Sequence, residues 1–402
     1  MINKMLKGVK MIIALDSHLM LVPINIRKDK KHYIVEDKDS GEFYEMPEIC
    51  IDAINLMNQG DRLGEIERKL KGKYPDDEVD ILDFAGQLLE LELIEEIEGV
   101  KVEKKIQLKE AKGFLWISSK FGKLFFNKFT YLLYISLFVI NLILFISKPS
   151  LIPHHEDIFV FDIMVLNVIL WMTFTFFLVL IHEFGHILAI RAYNLPTKLE
   201  IGHRLFFVVF ETDMSSIWKL APKDRNVLFL AGLCFDTVIL FISLVCQLVF
   251  SNSGIIIGLT SLAVFDIFMR IAFQCCFYMK TDLYFVFENV SGCYNLMENA
   301  NQTISKWFPI LKNNSLDETE FESERKTIFL YAIFCVVGIV LTIFLYAKYY
   351  IPEIIHAAKL LLPGYLKSPT SLAFWDAVVF TLQVGIFLIL LLNSWRKKYL
   401  KN

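Results

Sequence analysis

From Phe129 onward the chain alternates long apolar runs with short polar joints. Six runs reach the roughly twenty residues that a helix needs to cross a hydrocarbon core: Phe129 to Ser147, Phe159 to Ala192, Asn226 to Phe250, Gly254 to Met279, Thr327 to Ala347 and Ser371 to Trp395. The pattern predicts an α-helical polytopic membrane protein. The first hundred residues are patterned differently. Tyr33 and Val35 alternate with polar neighbours, Asp37-Lys38-Asp39-Ser40-Gly41 supplies turn chemistry and Phe43 begins a return strand, so a hairpin is predicted there. Three short helices follow. The first begins at Pro47, places Cys50, Ala53, Ile54 and Met57 on one face and stops at Gly60. The second carries Leu63, Ile66 and Leu70 and ends by Pro75; the third is capped near Asp76 and buries Leu82, Ala85 and Leu89.

Two further segments complete the outline. Residues 101–128 carry Lys101, Lys104, Lys105, Lys109, Lys112, Lys120, Lys123 and Lys128 around Phe114, Leu115, Trp116, Phe121, Leu124 and Phe125, the pattern of a basic linker ending in an interfacial helix. Its lysines suit an anionic leaflet of the lipid bilayer while its aromatic rings suit headgroup depth. Residues 198–213, with Leu205-Phe206-Phe207-Val208-Val209-Phe210 at their centre, are too short to span and predict a strand or re-entrant hairpin after Pro196.

Composition agrees with the pattern. Of 402 residues 55% are hydrophobic and 21% charged, where a soluble domain is about half apolar and about a quarter charged. A net charge of −3 and the lack of a long Lys/Arg block that suggests a nucleic-acid groove leave nucleic-acid binding with little support. Seven cysteines form no CxxC pair and imply no disulfide framework. Lys4, Lys7 and Lys10 precede a short apolar run, but Asp16 and His18 interrupt it and no small-residue cleavage site follows, so no signal peptide is expected. Basic residues gather between Arg191 and Arg225, at Arg325 and Lys326, and at Arg396-Lys397-Lys398. The positive-inside rule therefore predicts a multi-pass protein of the cell membrane with both termini in the cytoplasm.

Chemistry enters at His182-Glu183-Phe184-Gly185-His186, near the end of the second apolar run. On a helix the histidines fall at i and i+4 on one face, where neutral imidazoles can hold Zn²⁺, and Glu183 beside them can take a proton from a water activated by the metal. Ionisable groups are costly in lipid, so this placement points to function. Candidates for a third ligand are His203, Glu211, Asp213, Asp236, Asp266 and Asp282. Asp282 ranks first because it follows the fourth run, which ends on the same side as His182. Asp266 and Arg270, four apart, are expected to neutralise each other. Asp236 is a secondary site candidate, either pairing with Arg270 or tuning a ligand histidine from behind. His154-His155-Glu156-Asp157 is expected to be a solvated loop.

Over roughly residues 159–300 the chain resembles the site-2 protease family of intramembrane zinc metallopeptidases. The resemblance rests on HEFGH, on Lys223-Asp224-Arg225 leading to Ala231-Gly232-Leu233, and on Lys280-Thr281-Asp282-Leu283-Tyr284. It implies His182, His186 and Asp282 as zinc ligands and Glu183 as general base. Leu233 stands where that family has a proline, Asp236 where it has an asparagine and Leu283 where it has a glycine, and no Asn-Pro precedes Asp282. A hairpin followed by three helices resembles in layout the PqqD-like winged-helix domain, which implies binding of a peptide's leader sequence by strand addition. Together these look like the peptide zinc metalloprotease subgroup. The expected division is 1–100 for the PqqD-like domain, 101–128 for the basic linker, 129–300 for the peptidase core, and 301–402 for a cytosolic segment with two helices. The implied function is cleavage of a peptide or membrane-associated substrate during maturation or export of a ribosomally made, modified peptide. Two alternatives differ in class: a non-catalytic docking or export partner, and a metal transporter, for which the outer halves of the runs offer little beyond Asp162 and Asp376.

Overall fold

The computed structural model describes residues 2–6, 9–30, 32–102, 113–161, 163–204, 207–250, 252–307 and 324–399. Lys104, Lys105, Lys109 and Lys112, Asp162, and Leu205-Phe206 lie outside them, as does most of the segment expected to be cytosolic after Trp307. The chain divides into two compact units, residues 1–112 with 218–221, and residues 113–217 with 222–402.

In the first unit β1 (Ile2–Leu6) pairs with β2 (Val9–Ile13), and β3 (Leu19–Leu21) leads to β4 (Ile24–Asp29), β5 (His32–Asp37) and β6 (Phe43–Met46). The expected hairpin is β5–β6, with Tyr33 opposite Met46 and Glu36 opposite Phe43, and β4 extends it to three antiparallel strands. Helices α1 (Glu48–Gln59), α2 (Leu63–Lys73) and α3 (Ile81–Glu90) follow. They precede β7 (Ile94–Ile97) and β8 (Val100–Lys101), which sheet with β3 in the order β3-β7-β8. One core joins α1 (Ile51, Ala53, Ile54, Met57), α2 (Leu63, Ile66, Leu70) and α3 (Ile81, Ala85, Leu88, Leu89). Cys50 is only partly buried at its edge.

The third helix begins later than its sequence indicates. The Asp77 amide bonds the Tyr74 carbonyl at 3.3 Å, so Asp76 belongs to the turn that leaves α2. The cap is Asp80, whose Oδ1 accepts from the Leu82 and Asp83 amides, each at 3.0 Å. This start turns Ile81 and Leu88 inward and leaves Leu82 half-buried.

The second unit opens with α4 (Ser119–Phe125) and α5 (Lys128–Ser147). After α6 (Met164–Ala192), the strands β9 (Leu199–Arg204) and β10 (Phe207–Thr212) pair antiparallel, the hairpin expected over 198–213. Next come α7 (Pro222–Phe229), α8 (Ala231–Val249), α9 (Gly254–Gln274), α10 (Asp282–Ser291), α11 (Leu296–Trp307) and α12 (Arg325–Leu345). The last helices are α13 (Ile351–Leu361) and α14 (Leu372–Tyr399). Among the described residues six helical stretches are long and apolar enough to cross a membrane, the multi-pass architecture expected. Two boundaries differ from the apolar runs, and one helix is added. The second span starts at Met164 because the Asn167 carboxamide accepts from the Val160 and Phe161 amides and holds them off the helix. The fourth helix ends at Gln274, not Met279. Apolar α13, between the last two spans, has no counterpart in the expected elements, being too short to register as a span.

Close approach orders this unit. α8 packs on α5, α6 and α9, and the buried Asn141 of α5 donates from Nδ2 to the Thr237 carbonyl of α8 at 3.0 Å. The expected interfacial helix, α4, lies on the end of α6. A Cβ at Gly122 would come within 2.6 Å of the Ala192 amide, and Ser119 Oγ donates to the Ala192 carbonyl at 2.8 Å. Trp116 and Leu124 remain exposed.

Asp80→Ala removes two amide partners from the first turn of α3, a loss of about 1 kcal/mol. Hydrogen exchange of the α3 amides should quicken about fivefold while that of α1 is less affected.

Candidate metal centre

α6 is helical through HEFGH, so His182 and His186 stand one turn apart with both rings buried. The third member arrives by a tight turn. Gln274 ends α9; its carbonyl accepts from Thr281 Oγ1 at 2.8 Å, and its carboxamide bonds both the Asp282 amide and Asp282 Oδ2 at 2.9 Å. Lys280 takes a left-handed conformation (φ 52°) to close this turn, and Thr281 caps α10. Asp282 is thus the first residue of α10, where the helix dipole favours a carboxylate.

Three donor atoms converge here. His182 Nε2 and Asp282 Oδ2 are 3.1 Å apart, His186 Nε2 and Asp282 Oδ2 3.4 Å, and the two Nε2 atoms 3.3 Å. Tetrahedral coordination with bonds of about 2.0–2.1 Å sets donors about 3.3–3.4 Å apart. The opposite ring nitrogens are already committed. His186 Nδ1 lies 2.9 Å from the Leu228 carbonyl, which can only accept, so Nδ1 carries the proton. His182 Nδ1 donates to Asp236 Oδ2 at 2.7 Å. Neutral rings of this tautomer turn bare lone pairs toward the Asp282 carboxylate, and a cation is what answers three such lone pairs. Among the described residues this is the group of His, Cys, Asp and Glu side chains able to hold a metal ion.

The supports of the histidines follow from local structure. Leu228 is in the last turn of α7, where carbonyls lack helical partners. Asp236, fully buried on α8, also accepts from Arg270 Nη1 at 3.0 Å. Arg270 in turn donates from Nη2 to Asp266 at 2.5 Å and from Nη1 to the Leu178 carbonyl at 3.0 Å, and Thr175 Oγ1 donates to Asp266 at 2.6 Å. Both expectations for these charges are therefore met at once, because Arg270 serves the i,i+4 partner and Asp236 together. Glu183 is buried beside the ligands, and Thr212 Oγ1 donates to its Oε2 at 2.7 Å.

Other candidates stand elsewhere. Asp266 is occupied by Arg270 and Thr175, and Asp213 Oδ1 accepts from the Ser215 amide at 3.0 Å. Glu211 does not join the three-residue group, and the His203 side chain lies outside the described set. His154 to Asp157 form a short turn in which Asp157 accepts from the His154 amide at 2.7 Å. Gln274 and Thr212 carried no signal in the sequence; each acts through a turn or pairing whose register is tertiary.

The space for His182 comes from Gly232. A Cβ there would overlap its imidazole, and one at Gly185 would fall 2.8 Å from the Ala231 carbonyl. Gly232→Ala should therefore displace a ligand ring and weaken metal binding about tenfold or more, read as metal content after dialysis against a graded chelator.

No protein-family model, no curated protein and no solved structure matches the chain.

Proposed function

We propose that this chain is an intramembrane zinc metalloendopeptidase that cleaves a peptide or membrane-associated substrate, in the maturation or export of a ribosomally made peptide. The observation that carries the reading is the convergence of His182, His186 and Asp282 beside the buried Glu183, on and against an apolar helix. Two neutral imidazoles and a carboxylate at tetrahedral spacing form a three-ligand zinc set that leaves a fourth position for chemistry. Bound there, zinc supplies a Lewis acid toward the scissile carbonyl and the attacking water.

The chain's own groups supply the rest. Glu183 takes the proton of the nucleophile and returns it to the departing amine. Asp236, paired with Arg270, keeps the His182 proton on Nδ1 and its Nε2 lone pair free. Apolar spans around the site hold bulk water away. The hairpin β9–β10 runs beside Glu183 and offers backbone groups to an extended peptide, the form a scissile bond must adopt, since a helix hides its peptide bonds in its own ladder. Charge bias puts this end of α6 at the cytoplasmic face. The sheet β4–β6 of the first unit has strand edges suited to a leader sequence.

The test incubates detergent-purified protein with the short peptide encoded beside its gene and follows products by mass spectrometry. Glu183→Gln should keep its zinc and lose cleavage by about a hundredfold or more, whereas Asp282→Ala should lose zinc in metal analysis. Processing that continues unchanged in Glu183→Gln would instead identify a docking or export partner.

A further inference from the structure

The Glu183 side chain is gripped from β10. Thr212, the last residue of that strand, places Oγ1 2.7 Å from Glu183 Oε2 and 3.3 Å from the Glu183 carbonyl. A hydroxyl has one proton to give, and the shorter contact takes it. Both side chains are buried, Thr212 at 7% and Glu183 at 8% exposure, so no water competes freely for the bond.

Thr212 is also held against movement. It pairs across the hairpin with Leu199. One residue on, the Asp213 amide donates to the Lys198 carbonyl and Thr197 Oγ1 donates to the Asp213 carbonyl, each at 2.8 Å. Ser216 Oγ donates to the Pro196 carbonyl at 2.8 Å, and Arg191 Nη1 to the Leu195 carbonyl at 2.7 Å. Arg191 lies on α6 two turns past Glu183. Hydrogen bonds and the backbone between them thus tie the hairpin base to α6 on both sides of the glutamate's contact.

We infer that Thr212 is the positioning residue of the general base: it occupies Glu183 Oε2 and leaves Oε1 as the oxygen that exchanges a proton in the site. The inference rests on the reading of Glu183 as a proton acceptor beside zinc. The proton taken from the nucleophile resides on Oε1 and passes to the leaving amine, while the Thr212 proton stays on its own oxygen. The hairpin therefore aims the base in addition to flanking it.

Thr212→Val keeps the shape and the β-branch but has no proton to donate, and Thr212→Ser restores the donor. The readout is calorimetric binding of acetohydroxamate to the full-length, zinc-loaded protein in detergent, because a hydroxamic acid gives up its proton to a neighbouring carboxylate when it chelates zinc. Thr212→Val should hold its full zinc and bind acetohydroxamate about tenfold or more weakly, Thr212→Ser should bind within about threefold of the parent, and Glu183→Gln should mark the lower limit. Unchanged acetohydroxamate affinity in zinc-replete Thr212→Val overturns the inference. So does loss of zinc from Thr212→Val, which would assign the threonine to the metal centre's framework. A protein that cuts no peptide yet shows the Val/Ser contrast would lose the protease reading and keep this one.

Discussion

A charge placed among apolar helices has to be answered by another charge or by aligned dipoles, and the centre of this protein is organised around that requirement. Arg270 lies between Asp266 and Asp236, and Asp236 extends the chain of contacts to His182. Arg270 is shared by two buried carboxylates, so removing it takes the guanidinium from both. The same chain of bonds fixes the tautomer of His182, and the stray carbonyl of Leu228 does so for His186. Electrostatic necessity and the orientation of the histidines are here one arrangement.

Geometry that close needs backbones that can approach. Gly185 and Gly232 bring α6 and α8 together at the level of the histidines, and Gly122 lets α4 lie against the end of α6. The third member of the group depends on an interruption: α9 stops at Gln274, a left-handed Lys280 turns the chain, and α10 starts with Asp282. An unbroken helix to Met279 would have carried Asp282 along the axis of α9 and away from the histidines. The break, fastened by both ends of the Gln274 carboxamide, gives the site its third donor.

Much of this was legible beforehand, and the legible parts share a cause. Spans, the 198–213 hairpin and the α2 core positions Leu63, Ile66 and Leu70 are written in hydrophobic periodicity, which depends on local sequence alone. HEFGH is likewise a local signal, since i and i+4 share a helix face. Boundaries were less legible. Asp76 and Asp80 are both plausible caps by residue type, and what separates them is the turn through Tyr74 and Asp77 that exits α2. Among the strands that were not expected, β3 and β8 are three and two residues long, and β3 pairs with β7 from the far end of the unit, so local pattern gives that sheet little signal.

By itself, then, the sequence determined the classes of element, the apolar spans and the residue types capable of holding a metal, because these follow from the chemistry of neighbours a few positions apart. Tertiary structure decided which of the six candidates meets the histidines, with Asp282, ranked first from the sequence, closing the group; it alone decided that Arg270 serves two carboxylates at once, that Gln274 fastens the turn and that Thr212 reaches Glu183. Those contacts join positions 8, 29, 34 and 100 residues apart. Such distances are closed by helix packing and strand register, and no local periodicity records which side chains will then meet.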